Sequence, residues 1–195
     1  MRESGIPGVH NAEDRQLLQR IAARDAAAFT LLVKRYLQTI VTFARRYTSQ
    51  KADAEDVAQE TFMRVWQHAS NWRDGDNASV RSWIYRISYN LCMDLLRRRN
   101  NSTPIDELDL SCVYQQQPDA KMEQQQQMTL LGNSLRQLPV RQYTALSLQL
   151  SDALSYQEAA SAMDISLQAY ESLVARARRT LKKAFHSQQK TWEAS

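Results

Sequence analysis

The chain has 195 residues, 43% of them hydrophobic, so it can form one large domain or two small ones and bury a core. Only four glycines and four prolines interrupt it, which favours helices. A formal charge of +4 and a pI near 9.2 are compatible with nucleic-acid binding but do not establish it. Because no apolar run reaches membrane-spanning length and no signal-peptide core is present, we expect a cytoplasmic protein without membrane insertion.

The residues that usually carry catalysis or bind metals form no set in this sequence. Cys92 and Cys112 offer no disulfide framework, and the three histidines are too far apart to suggest a metal site. No nucleophile elbow, phosphate-binding glycine loop or metalloprotease pair is present. We therefore expect no enzyme activity, no metal and no cofactor.

The first third of the chain predicts three helices. Residues 1–12 lack periodicity and are expected to be disordered, and residues 13–23 are expected to be helical. Asp25 is positioned to cap a helix that ends near Tyr47. A third helix is expected to begin with Asp53 as its cap.

This third helix has an acidic, amide-rich face. At 100° per residue its small and apolar residues fall on one side, beginning with Ala54, Ala58 and Phe62. An outward strip beside them consists of Asp56, Gln59, Glu60, Met63 and Gln67. Carboxylates clustered at an exposed helix start indicate a capped end or a docking face for another protein.

The fourth helix, predicted over residues 80–99, is basic and aromatic instead. Its expected buried stripe is Val80, Ile84, Ile87, Leu91 and Leu95, flanked by Tyr85, Tyr89 and Leu96. Its polar arc contains Arg86, Asn90, Asp94 and Arg97. Together with Trp72 and Trp83, the tyrosines are either core residues or rings on which unstacked bases lie beside positive charge. For Trp83 we expect the core.

The composition changes after this four-helix domain, which we place at residues 13–101. Residues 102–126 contain two prolines, several acids and glutamine runs without a sustained stripe, which predicts a flexible linker. A second helical domain is expected over residues 127–186, followed by a tail at 187–195. The predicted fold is therefore all-α, with two small helical domains joined by a linker.

The end of the second domain has the pattern of a helix-turn-helix. A helix at residues 155–163 is followed by a break at 164–166 and a basic helix from Leu167 to about Phe185. The expected buried face of the last helix is Leu167, Tyr170, Val174, Ala177, Leu181 and Phe185. The opposite face carries Gln168, Ser172, Arg176, Arg179 and Lys183. Amide and hydroxyl groups followed by arginines suit a major groove, although a solvated basic face has the same composition.

Three ordered motifs resemble one family. They are DAEDVAQETFMRVW at 53–66, VRSWIYRISYNLCMDLLR at 80–97, and LSYQEAASAM at 154–163 with ARAR at 175–178. In this order and spacing the chain resembles a bacterial RNA polymerase sigma factor of the extracytoplasmic-function class. The resemblance implies a transcription-initiation subunit that binds core polymerase and promoter DNA in the nucleoid. An anti-sigma factor, which could hold it at the membrane, is expected as a further partner.

The resemblance also implies a role for each surface. The strip Asp56, Gln59, Glu60 and Met63 would dock on the clamp helices of the polymerase. The melted −10 element would contact Trp72, Asn77, Ala78, Ser79, Tyr85, Arg86, Asn90 and Arg97. The −35 duplex would contact Gln168, Ala169, Ser172, Arg176 and Arg179.

Three positions depart from the family pattern. Asp164 stands where a turn glycine is common, although aspartate enters the left-handed region more readily than most residues. Glu171 and Leu173 stand where Lys or Arg is common, which bears on the duplex contacts. An alternative function is therefore a sigma-like adaptor that sequesters an anti-sigma factor without binding promoters. Intact Arg86, Asn90 and Arg97 favour the active sigma factor.

Overall fold

The computed structural model describes residues 7–48, 50–73, 79–99, 134–135, 138–149 and 154–192. Within these ranges the chain forms seven α-helices and no strand. They are α1 (Pro7–Ala22), α2 (Ala26–Ala44), α3 (Lys51–His68), α4 (Val80–Arg99), α5 (Val140–Gln149), α6 (Tyr156–Ala162) and α7 (Leu167–Trp192). This confirms the all-α fold. The predicted linker at 102–126, and residues 193–195 of the tail predicted at 187–195, lie outside the described residues.

The turn between α1 and α2 depends on the predicted cap. The carboxylate of Asp25 accepts hydrogen bonds from the backbone N–H groups of Ala27 and Ala28 at 2.9 and 3.1 Å. Arg20 pairs with the same carboxylate at 2.7 Å. The Ala28 bond, followed by that from Arg20, keeps the pKa of Asp25 below its usual value. Arg24 takes the left-handed conformation, with φ of 67°, and so reverses the chain just before the cap.

Four predicted helix ends were wrong. Helix α7 continues to Trp192, so neither the end near Phe185 nor the tail predicted for 187–195 applies to residues 187–192. Helix α1 begins at Pro7, so the disorder expected for residues 1–12 does not apply to 7–12. Proline suits a first helical turn, and a helix already packed further along extends at little cost. Helix α3 begins at Lys51, which puts Asp53 inside the first turn rather than at the cap. Helix α2 ends at Ala44 because the backbone N–H of Tyr47 bonds the carbonyl of Ala44, three residues back.

A buried acid ties α1 to α2. Asp14 is almost fully buried, accepts a hydrogen bond from the Tyr36 hydroxyl, and pairs with Arg35 at 2.5 Å. Burial, and then the charge of Asp14, raise the pKa of Tyr36, while Arg81 of α4 acts in the opposite direction. The start of α4 therefore lies next to the contact between α1 and α2.

The buried face of α4 is rotated relative to the predicted stripe. Val80 and Ile84 are buried as expected, but Ile87, Leu91 and Leu95 are only partly buried. The remaining buried positions are Ser82, Tyr85, Ser88, Tyr89, Cys92, Met93 and Leu96. Burial raises the pKa of the Cys92 thiol, as expected for an ordinary buried cysteine. The rotation arises because α4 packs against helices on more than one side.

The second domain contains the predicted helix-turn-helix. Ser155 caps α6 in a reciprocal capping box with Glu158. Asp164 takes the left-handed conformation, with φ of 56°, in the turn that follows. The buried hydroxyl of Tyr170 in α7 donates to the carbonyl of Ala145 in α5 at 2.8 Å. Over the described ranges, no helix has both the length and the apolarity needed to cross a membrane.

Candidate functional site

The acidic strip on α3 is exposed as the periodicity predicted. Asp56, Gln59 and Met63 are exposed, with Met63 retaining 46% of its accessible surface. Glu60 is half-buried and pairs with Arg64, one turn further along, at 2.8 Å. Because the pair is local, it leaves the outward face of α3 open to another molecule.

An apolar depression continues this strip, and the sequence did not reveal it. It has a volume of about 300 Å³ and is lined by Ala26, Phe29, Met63, Trp66 and Gln67. The rings of Phe29 and Trp66 meet edge to face with centroids 5.0 Å apart. Met63, Trp66 and Gln67 follow the i, i+3, i+4 spacing of one helix face. That spacing was visible in the sequence, but the contribution of α2 was not.

Arg24 supports one wall of the depression. Its guanidinium lies over the Trp66 ring, 5.5 Å from the centroid, and donates to the Trp66 carbonyl at 3.2 Å. The left-handed turn at Arg24 thus positions an arginine side chain beside the end of α3. An acidic strip leading into an apolar depression can bind a partner that presents both basic and apolar groups.

The candidate −10 residues differ in their exposure and in their ion pairs. Asn90 and Arg97 are exposed on α4, and Arg97 pairs with Asp94 on its own helix at 3.1 Å. Arg86 is partly exposed and pairs with Asp164 of the second domain at 2.6 Å. Trp72 is half-buried, just before the loop that leads to α4. Asn77 and Ala78, in that loop, lie outside the described residues.

Ser79 is a buried cap of α4. Its hydroxyl oxygen accepts from the backbone N–H of Ser82 at 3.1 Å, and the hydroxyl donates to the Glu158 carboxylate at 2.6 Å. The residue therefore fixes the start of α4 and contacts the second domain.

Tyr85 does not offer the exposed ring that the resemblance implied. Only 1% of its surface is accessible, and its ring meets that of Phe43 edge to face at 5.3 Å. No base can stack on it in this arrangement. Trp83, expected in the core, is instead only partly buried. Of the two possibilities left open for the tyrosines, Tyr85 therefore takes the core position, and Trp83 packs against the core without being fully buried.

The recognition face of α7 is exposed from Gln168 to Arg179. The backbone N–H of Ala169 donates to the Ser166 hydroxyl oxygen at 3.2 Å, which caps the start of the helix. Ala169 itself is half-buried. The exposed candidates are Gln168, Ser172, Arg176 and Arg179.

Two further α7 predictions need correction. Leu167, expected to be buried, is 37% exposed. Leu173, considered as a residue bordering the DNA, is 8% exposed and belongs to the core. Glu171 is exposed beside the recognition face. The side chain of Phe185 lies outside the described part of the chain.

Comparisons with known proteins identify both domains. Residues 32–102 match the family model for sigma-70 region 2, and residues 128–181 match that for sigma-70 region 4. The RNA polymerase sigma-H factor of Pseudomonas aeruginosa is 30% identical over 182 residues, covering 88% of this chain and 93% of the relative. The sigma-E factor of Escherichia coli, of the extracytoplasmic-function (ECF) class, is 29% identical over 178 residues, covering 86% and 92%.

Solved structures share the fold. CnrH, in complex with the cytosolic domain of CnrY, superposes with a TM-score of 0.65 at 23% identity, covering 90% of this chain and 98% of CnrH. RpoE of Bartonella quintana, in complex with the anti-sigma factor NepR, gives 0.60 at 22% identity, covering 81% and 96%. Both structures share the all-helical fold of this chain. The chain belongs to the sigma-70 family of RNA polymerase sigma factors, in its ECF class, whose members direct core polymerase to promoters.

Proposed function

We propose that this sigma factor binds its partners through three separate surfaces. The acidic strip of α3 docks on the clamp helices of core polymerase, the polar arc of α4 binds the melted −10 strand, and α7 reads the −35 duplex. The observation that carries the proposal is that the strip and the recognition face are exposed on separate helices of one chain. Two partners can therefore be bound at once without competing for the same side chains.

The docking assignment rests on charge and shape. Asp56 and Gln59 are exposed, and the strip leads through Met63 into the apolar depression beside Trp66. A basic, partly apolar helix pair on the polymerase would find complementary groups along the whole strip. The domain boundaries that we propose, 13–101 and 127–186, assign docking and −10 binding to the first domain.

We assign fewer residues to −10 binding than the family pattern implies. Asn90 and Arg97 are exposed on α4, where an amide can bond a base edge and a guanidinium a phosphate. Arg86 lies one turn before Asn90 on the same helix, and we also assign the half-buried Trp72, which precedes the loop leading to α4. Tyr85, being a core residue, supports α4 from beneath rather than contacting DNA.

The −35 assignment rests on the order of groups along α7. Gln168 and Ser172 precede Arg176 and Arg179, so base-edge partners come first and phosphate partners follow. We further propose that the protein acts in the cytoplasm at the nucleoid. An anti-sigma factor, which is what NepR is in the complex with RpoE of Bartonella quintana, would control its release.

The docking assignment is tested by reversing charge on the strip. Asp56→Arg combined with Gln59→Ala should weaken binding to core polymerase by about tenfold or more, since like charge then faces a basic surface. The matched control is Glu55→Arg, the same charge change on the same helix but about 100° around its axis. Affinity is measured by titrating labelled full-length chain with core polymerase. Equal losses in both variants would show that charge in general, rather than this strip, determines binding.

Mapping of transcript start sites with the same holoenzyme then identifies the promoters. Transcripts from discrete start sites sharing −10 and −35 sequences are the expected result. Core binding without any specific start would favour the adaptor function instead.

A further inference from the structure

The acidic strip of α3 carries opposite charges at its two ends. Near its start Asp56 is exposed and Glu60 is half-buried. Near its end the guanidinium of Arg24 lies over the Trp66 ring, 5.5 Å from the centroid, and donates to the Trp66 carbonyl at 3.2 Å. A partner that follows the strip along α3 therefore meets carboxylates first and a cation last.

The positive charge of Arg24 is not neutralised by an acid of its own domain. The neighbouring Asp25 caps α2 and pairs with Arg20 at 2.7 Å. None of the ion pairs between described residues includes Arg24, and its side chain is exposed. A guanidinium has five N–H donors, so one bond to a carbonyl leaves donors for a carboxylate of another molecule.

The backbone places this arginine beside the strip at a steric cost. Arg24 has a φ of 67°, in the left-handed region that is uncommon for residues other than glycine. The turn is held by the backbone N–H of Arg24, which donates to the Ile21 carbonyl at 2.8 Å, and by that of Asp25, which donates to the Arg20 carbonyl at 3.0 Å. Unfavourable backbone conformations concentrate at binding sites, where the side chain has a role.

The apolar depression lies between the acids and this cation. Its volume is about 300 Å³, which is enough for a large apolar side chain, since a cavity of about 150 Å³ holds benzene. The rings of Phe29 and Trp66 form one side of it, and Met63 of α3 lines it as well. Met63 lies about 10 Å beyond Asp56 along α3, at about 1.5 Å per residue. Acid, apolar depression and Arg24 thus follow one another in a fixed order.

Complementary charges across an interface fix the register of the partner and disfavour wrong arrangements. We propose that Arg24 determines the direction in which a clamp helix of core polymerase docks on the acidic strip, by binding a carboxylate of that helix. The docked helix presents basic groups to Asp56 and Glu60, an apolar side chain to the depression, and an aspartate or glutamate to Arg24. In the reverse direction, like charges would meet at both ends. This proposal rests on the docking function proposed above and adds a residue that determines its specificity.

The test compares two substitutions of Arg24 that have nearly the same shape. Asparagine and aspartate both tolerate the left-handed conformation, so Arg24→Asn removes the cation and Arg24→Asp reverses it while the turn is kept. Labelled full-length chain is titrated with core polymerase. Arg24→Asn should weaken binding by about fivefold, the upper range for a partly exposed ion pair. Arg24→Asp should weaken it by a further factor of about three or more, because two carboxylates then face each other.

Two controls separate this contact from net charge and from folding. Arg98→Asn and Arg98→Asp make the same charge changes at an exposed arginine of α4, and neither should alter affinity for core polymerase. Arg24→Lys keeps the charge without the planar donors and should weaken binding less than Arg24→Asn. The denaturation midpoint of each Arg24 variant is measured alongside. Losses of affinity that parallel losses of folded protein would make Arg24 a structural support of Trp66 and overturn the proposal.

The sign of the difference between the two matched variants decides the outcome. Tighter binding by Arg24→Asp than by Arg24→Asn would mean that a basic group faces this position, and equal affinities would mean that no charged group does. Either result would refute the role of Arg24. The docking function fails separately: if Asp56→Arg with Gln59→Ala leaves core affinity unchanged, the assignment of the strip itself is wrong. A loss in that double variant without a difference between the Arg24 variants refutes only the inference about direction.

Discussion

The outward faces of α3 and α4 differ in their contacts with the second domain. Asp56, Gln59 and Met63 of α3 face solvent, with no contact to the second domain among the interactions described. On α4, Arg86 is paired with Asp164, and Ser79 is bonded to Glu158. The docking strip is therefore accessible in this arrangement, whereas the proposed −10 surface is engaged at Arg86 and accessible at Asn90 and Arg97.

The largest expected effect comes from the core beneath the engaged face. Tyr85→Ala should lower the free energy of unfolding by about 3–5 kcal/mol, because a fully buried ring is replaced by a cavity next to Phe43. Chemical denaturation of the full-length chain measures this. Trp83→Ala, at a partly buried ring, should cost less. If Tyr85→Ala left the free energy of unfolding unchanged and only impaired strand opening, the Tyr85 ring would have to be exposed. The core position of Tyr85 beneath the face of α4 would then be wrong.

A second effect concerns the buried side of the recognition helix. Leu173→Arg should lower the free energy of unfolding by about 2–4 kcal/mol, since a charged chain must leave the core to reach water. Leu173→Met, which conserves volume and apolarity, should cost less than about 1.5 kcal/mol. Thermal or denaturant unfolding of both variants provides the measurement. Tighter duplex binding by a stable Leu173→Arg protein would place this residue on the DNA side after all.

The same contrast explains what the sequence could predict. Local signals were sufficient where one helix faces solvent: the cap at Asp25, the strip at Asp56 and the left-handed turn at Asp164 are all confirmed. These features depend on residues within a few positions of one another.

The errors arise where several elements meet. The buried face of α4 is set by its neighbours, so Ile87, predicted in the buried stripe, is only partly buried, whereas Tyr85, predicted to flank the stripe, lies in the core. The depression beside Trp66 needed Phe29 from another helix. The pairing of Arg86 with Asp164 joins residues from two domains, and no periodicity within either helix contains that information.

The smallest effect tests the exposed neighbour of Leu173. Glu171 is exposed beside the recognition face of α7, so on approach to a major groove its carboxylate would face phosphates of like charge. Glu171→Arg should remove this repulsion and add a contact. Binding of the full-length chain to −35 duplex should tighten by no more than about tenfold, and the salt dependence should steepen by about one unit of slope.

Glu171→Gln separates the two parts of this effect, because it removes the repulsion without adding a cation. It should tighten binding by a smaller factor and leave the number of phosphate contacts unchanged. The measurement is a salt series by fluorescence anisotropy on the −35 duplex, with circular dichroism to verify folding. Since Glu171 is exposed, neither variant should alter the free energy of unfolding by more than about 0.5 kcal/mol. Equal salt slopes for Glu171→Arg and the unchanged chain would mean that this edge of α7 does not approach the DNA backbone. The −35 contact would then be confined to the arc from Gln168 to Arg179.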